Sequence, residues 1–200
     1  MRDSIIVALT LVLGILLGIY GREYIPTDIS TITTYFLYLL LFCAGIGIGG
    51  DSELLNKLKN THPIFLLLPL ATIVGTLSGS ALSGIFLPHR TTAECMAVGS
   101  GFAYYSLSSI LISQLKGVDL GVVSLLSNVI REVVVLLFAV PLATYFGKTT
   151  PIACAGATSM DSTLPFIVKA SGSEFIVISL VHGILVDFSV PFLVTFFCSF

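Results

Sequence analysis

The sequence predicts an all-α polytopic membrane protein of about seven transmembrane segments, some of them discontinuous. Three observations carry this. Hydrophobic residues make up 56% of the 200-residue chain, and its mean hydropathy is +1.05. Charged residues are only 10%, with 9 Lys and Arg against 11 Asp and Glu, where an ordinary soluble domain carries roughly 25%. Apolar runs long enough to cross a bilayer recur along the chain. So few charges do not cover the surface of a soluble domain. A disordered chain is excluded by the same figures, and a net charge of −2 offers no basic face for nucleic acid.

The spans follow in order. A helix crosses the hydrocarbon core with roughly 20 apolar residues, about 17 at the shortest. Residues 4–20 form the first span and 33–49 the second. A polar stretch, 51–62, leads to a third over 63–87. The fourth covers 93–115, and a long fifth covers 118–146. The sixth, 151–170, is weak because Gly, Ser, Asp and Pro interrupt it, and the seventh is 173–200. Connections are short, so the chain reads as one transmembrane domain, 1–200. Met1-Arg2-Asp3 before an apolar run imitates a signal peptide. Ile19-Tyr20-Gly21-Arg22-Glu23 is a poor cleavage site, however, and the run reads as a retained anchor.

Seven spans put the termini on opposite sides. With the N-terminus inside, Arg2, Lys57, Lys59, Lys116 and Lys169 face the cytoplasm, while Arg22, Arg90 and Lys148 face out. This is a weak positive-inside bias. Cys43, Cys95, Cys154 and Cys198, with His62, His89 and His182, complete no metal-binding spacing, and no cofactor is expected.

Function is read from what does not belong in lipid. An ionisable side chain near the midplane costs about 2.5 to 3.5 kcal/mol on insertion scales. Arg131, Glu132, Asp161 and Asp187 fall at that depth, and His182 is a further titratable group. Arg131 and Glu132 are helix neighbours about 100° apart, so each needs a separate partner. Asn128 lies one turn before Glu132, on the same face. His182 and Asp187, five residues apart, do not make a local pair. Packing or interhelical hydrogen bonding is the plainer reading for each, weighed against a place in a substrate or ion path.

Two segments mix Gly and hydroxyls within apolar surroundings. Gly156-Ala157-Thr158-Ser159-Met160-Asp161-Ser162-Thr163-Leu164-Pro165 is a poor helix, and Pro165 removes a donor and disfavours a helical join before it. Gly99-Ser100-Gly101-Phe102-Ala103-Tyr104-Tyr105-Ser106-Leu107-Ser108-Ser109 is similar. Close helix packing explains such a run equally well, and Tyr104 and Tyr105 also fit as interfacial anchors. Broken backbone at membrane depth survives only inside protein or beside a cavity, and it exposes helix ends of both polarities. That suits a ligand with both a carboxylate and an ammonium, such as an amino acid. Ser100, Tyr104 and Ser106 in one segment, and Thr158, Ser159, Asp161, Ser162 and Thr163 in the other, are the candidate contacts.

These stretches, with Arg131-Glu132 and Val181-His182-Gly183, resemble the LysO-type lysine exporter family along essentially the whole chain. The resemblance implies export of L-lysine and related cationic amino acids or analogues across the bacterial inner membrane, with intramembrane acids as essential residues. Asp161 matches one such acid. A second falls at Asn128, where the family pattern reads Asn-Asp and this chain reads Ser127-Asn128, so that carry-over fails. Asp187 or Glu132 is expected to supply the charge. Typical members are longer, with extra N-terminal helices. The missing helices are expected from a separate small membrane protein, or a homodimer completes the fold. The wider fold resembles inverted-repeat transporters with crossed broken helices.

The expectation is a secondary exporter in which Asp161 neutralises an ammonium of the substrate or alternates between substrate and proton. Its partners are a cationic amino acid, protons and membrane lipid. With no nucleotide motif, coupling falls to an ion gradient, and carboxylates and His favour proton antiport. The alternative is a monovalent cation/proton antiporter or channel-type subunit built on the same acids. An intramembrane protease using Asp161 with Asp187, or a Ser with His182, is poorly supported: Gly47-Ile48-Gly49-Gly50-Asp51 misses the aspartyl-protease pattern by one residue. A structural half-subunit without a site is the remaining class.

Overall fold

A computed structural model describes residues 67–200 continuously, together with Tyr20, Tyr35, Leu39, Phe42 and Ile46, all five helical. Apart from those five residues, the expected spans 4–20 and 33–49 lie outside the described residues, as do the polar stretch 51–62 and the Gly47–Asp51 motif. The chain divides into two compact units, Met1–Gly47 and Ile48–Phe200. The following concerns the second.

Among the described residues there is helix and no strand. The order is α1 (Leu67–Phe86), α2 (Thr92–Gly99), α3 (Tyr105–Lys116), α4 (Val118–Phe146), α5 (Thr150–Ala155), a 3-10 turn (Gly156–Met160), α6 (Leu164–Ser171), a second 3-10 turn (Ser173–Phe175) and α7 (Ile176–Cys198). Among the described residues, three stretches are long and apolar enough to cross a membrane: α1, α4, and α7 with its leading turn. The expected fourth span, 93–115, is not one helix but two, α2 and α3, flanking a break at residues 100–104. The expected sixth is likewise α5 and α6 around a break at 156–163. Pro165 does not cause that break. It stands in the first turn of α6, where a missing N–H costs nothing.

Local chemistry sets the ends. Thr91 and Glu94 form a reciprocal capping box on α2: the Glu94 N–H donates to Thr91 Oγ1 (3.1 Å) and the Thr91 N–H donates to Glu94 Oε2 (2.9 Å). Thr91→Ala is expected to cost about 1 kcal/mol, read as a lowered Tm in detergent. Gly117 and Gly147 bracket α4 at φ of +102° and +103°, a region L side chains rarely adopt.

The faces sort by size and polarity. On α4 the buried stripe is Gly121, Ser124, Asn128, Val135, Ala139 and Ala143, at helical spacing. Its small members admit close neighbours: a Cβ on Gly121 would lie 1.8 Å from Ser113 Oγ of α3. On α7 the inward stripe is Ser179, His182, Gly183, Val186, Val190 and Val194. The outward faces carry Ile130, Val134, Leu137 and Phe138 on α4, and Phe188, Phe192 and Phe196 on α7. Such faces suit lipid and not water.

Candidate functional site

The two interrupted segments meet at their breaks. The Ala157 N–H donates to the Phe102 carbonyl at 2.9 Å, so backbone from one break pairs with backbone from the other. The approach is close enough to require glycine: a Cβ on Gly156 (φ +65°) would sit 2.3 Å from Phe102 O. Phe102 and Ala103 themselves take positive φ, 44° and 70°. Non-glycine residues in that region are strained and persist where surrounding structure over-determines them.

Helix α4 clamps this crossing from its centre. Asn128, 3% exposed, accepts the Ala103 N–H at Oδ1 (2.8 Å) and donates from Nδ2 to Ser124 O (2.9 Å) and Val98 O (3.3 Å). Its amide is thus spent on the backbone of the first break and of α4 itself rather than on Glu132, one turn away. Asn128→Asp loses both donations and is expected to destabilise the fold by about 1 to 3 kcal/mol. A thermal melt beside Ser127→Ala as a control checks this.

Arg131 and Glu132 take separate partners. Arg131 donates from Nε to Cys154 O (2.7 Å), and from its terminal nitrogens to Ala153 O (3.2 Å) and Thr76 Oγ1 (3.3 Å). Its guanidinium carbon also lies 5.8 Å from the Phe102 ring centroid. A cation on the last carbonyls of α5 complements the negative end of that helix. Glu132 Oε1 accepts the hydroxyl of Ser162.

Asp161 follows the 3-10 turn and is exposed. Its Oδ1 accepts the Ser162 N–H and lies 3.1 Å from Ser162 Oγ, so one hydroxyl bridges Asp161 and Glu132. Asp187, half-buried on α7, lies within electrostatic reach of Asp161, and both act on the half-buried Tyr104. Hydrogen bonds thereby join Asp161 and Ser162 of the second break to Glu132 of α4. Among the described residues, the ion pair that forms is Arg90 with Glu94 at 4.0 Å, away from these acids. The described residues contain no group of three or more His, Cys, Asp or Glu placed to hold a metal ion.

The other predicted residues support the break. Thr163 Oγ1 donates to Thr158 O (2.8 Å), and Thr158 Oγ1 donates to Ala155 O (2.9 Å). Ser100 Oγ donates to Ala97 O (2.8 Å), whereas Ser106 is exposed. Ser159 Oγ donates to Ser179 O (3.0 Å) and lies 3.0 Å from His182 Nδ1. With its one proton committed, Ser159 accepts from Nδ1–H, and His182 Nε2 accepts from the Thr72 hydroxyl at 2.9 Å. The imidazole, 1% exposed, ties α1, the 3-10 turn and α7 together.

Sequence reasoning missed Thr72 and Thr76. The signal was present: Thr72, Thr76, Ser80 and Ser83 recur at four, four and three residues, a hydroxyl stripe along α1. Ser124 and Ser179 carry no comparable pattern.

Taken together, the described residues form an all-helical assembly with membrane-length helices, in which two interrupted segments meet beside the linked side chains of Asp161, Ser162 and Glu132. The chain belongs to the lysine exporter LysO family, whose family model matches residues 8–198. It is 28% identical over 190 residues to the lysine exporter LysO of Escherichia coli (strain K12), covering 94% of this chain and 62% of that protein. It is 31% identical over 194 residues to a Haemophilus influenzae protein provisionally named a lysine exporter, covering 94% of this chain and 95% of that one. The chain therefore spans less than two thirds of the first relative and nearly all of the second. No solved structure gives a significant match.

Proposed function

We propose that this chain exports L-lysine, and related cationic amino acids, as a secondary transporter driven by proton antiport. The observation that carries this is the crossing of two broken segments, joined by the Ala157–Phe102 hydrogen bond, with Asp161 beside it. The names of the relatives add the substrate. Asp161 binds an ammonium of lysine and exchanges it for a proton. Glu132, bridged to Asp161 by Ser162, and Asp187 share the positive charge of a substrate that carries two ammonium groups. Carbonyl-bearing helix ends at the breaks hold the α-amino group.

On this reading residues 1–200 act as one transporter domain of about seven spans in the bacterial inner membrane, with the N-terminus inside. An inverted repeat relates its two broken segments. A second copy, or a small membrane protein, completes the assembly.

The test is resistance to a toxic lysine analogue in exporter-null cells expressing this chain, alone and with a candidate partner. Restored resistance and lysine efflux are expected. Sensitivity in every combination would sink the reading. Asp187→Asn with undiminished efflux would remove Asp187 from the mechanism.

A further inference from the structure

A cavity of about 290 Å³ opens between α1, α2 and α4. Its lining includes Thr76, Ser80, Arg90, Glu94, Ser127 and Arg131, and none of the acids Glu132, Asp161 and Asp187. It is thus a different place from the carboxylate cluster. Arg90 and Glu94 pair with each other and contribute no net charge. That leaves Arg131 to set the sign of the cavity.

Three of the five N–H groups of Arg131 are taken by neutral acceptors, Cys154 O, Ala153 O and Thr76 Oγ1. One N–H remains on each terminal nitrogen. Among the described residues, no carboxylate pairs with this cation. A guanidinium kept at the centre of a membrane-length helix without a counter-charge is costly. A planar fork with two free donors is also the group best shaped for a carboxylate. Hydroxyls of Ser80 and Ser127 line the same space. The volume lies at the small end of ligand sites, roughly 300 Å³, which suits one amino acid.

We infer that this cavity is a carboxylate-recognition pocket, in which Arg131 engages the α-carboxylate of the transported amino acid and thereby rejects the corresponding diamine. The inference rests on the lysine-export reading and adds a selectivity element to it. Asp161 reads the ammonium and Arg131 reads the carboxylate, so a molecule needs both to be carried.

The test is protection of a thiol placed in the cavity. The full chain carries Ser127→Cys, with Cys43, Cys95, Cys154 and Cys198 replaced by Ser, and is labelled with a small maleimide. L-Lysine at ten times its Kd is expected to slow labelling roughly tenfold, following occupancy by mass action. 1,5-Diaminopentane, which lacks only the carboxylate, is expected to leave the rate unchanged, and Arg131→Gln to abolish protection by lysine. Equal protection by the diamine, or none by lysine, overturns the inference. The labelling result with Arg131 intact stands even if Arg131→Gln fails to fold. Lysine flux measured on the same protein separates the two claims. Flux without protection removes the pocket and leaves export standing, whereas protection without flux removes export instead.

Discussion

Asp161→Asn is expected to lower lysine efflux by at least about tenfold while leaving the protein folded. The carboxamide keeps the shape of the side chain and an oxygen to accept the Ser162 N–H, so the turn after Met160 survives. What it loses is charge. A hydrogen bond to a charged group is worth about 1.5 to 3 kcal/mol, and each 1.4 kcal/mol is a factor of ten. On the proposed reading Glu132 and Asp187 carry part of the charge of the substrate and do not replace Asp161. Efflux per amount of membrane-inserted protein checks this, with Asp161→Glu retaining part of the activity. Wild-type efflux from Asp161→Asn would show that the ammonium is read elsewhere.

The second large effect concerns the crossing itself. Gly156→Ala is expected to prevent accumulation of folded protein, at a cost above about 3 kcal/mol. The new Cβ would lie 2.3 Å from Phe102 O, and φ of +65° with ψ of −130° is a conformation only glycine takes readily. Moving the strand of backbone aside breaks the Ala157–Phe102 hydrogen bond and leaves two buried polar groups unpaired, each costing about 1 to 3 kcal/mol. Gly75→Ala is the contrast. That glycine is inside α1 with nothing within 4 Å of the added carbon, and the change is expected to be neutral or to stabilise by up to about 1 kcal/mol. Thermal melting in detergent and membrane abundance read both.

The fold was legible in the sequence where signals are local. The predicted fifth span, 118–146, coincides with α4, because Gly117 and Gly147 bracket a run that stays mostly apolar despite Asn128, Arg131, Glu132 and Pro141. The seventh matches α7 with its leading turn closely for the same reason. Breaks at Gly99–Tyr104 and Gly156–Thr163 were also visible as mixtures of Gly and hydroxyls. Their meeting was not, since Phe102 and Ala157 are far apart in the chain and nothing local announces a backbone hydrogen bond between them. Asn128 shows the same limit. Its spacing to Glu132 is a surface rule, and it says nothing of the Ala103 N–H that the side chain satisfies. The hydroxyl stripe of α1 was readable by period alone, but its partners His182 and Arg131 are tertiary.

On the proposed reading, lysine passes through a site at the crossing and needs Asp161. Counterflow of labelled lysine into proteoliposomes loaded with unlabelled lysine tests it most directly, since exchange needs binding on both sides but no ion gradient. Wild-type protein is expected to exchange lysine, and Asp161→Asn to exchange at or near the rate of empty liposomes. Monovalent cation flux with no lysine exchange by the wild type, or equal exchange by Asp161→Asn, would contradict it.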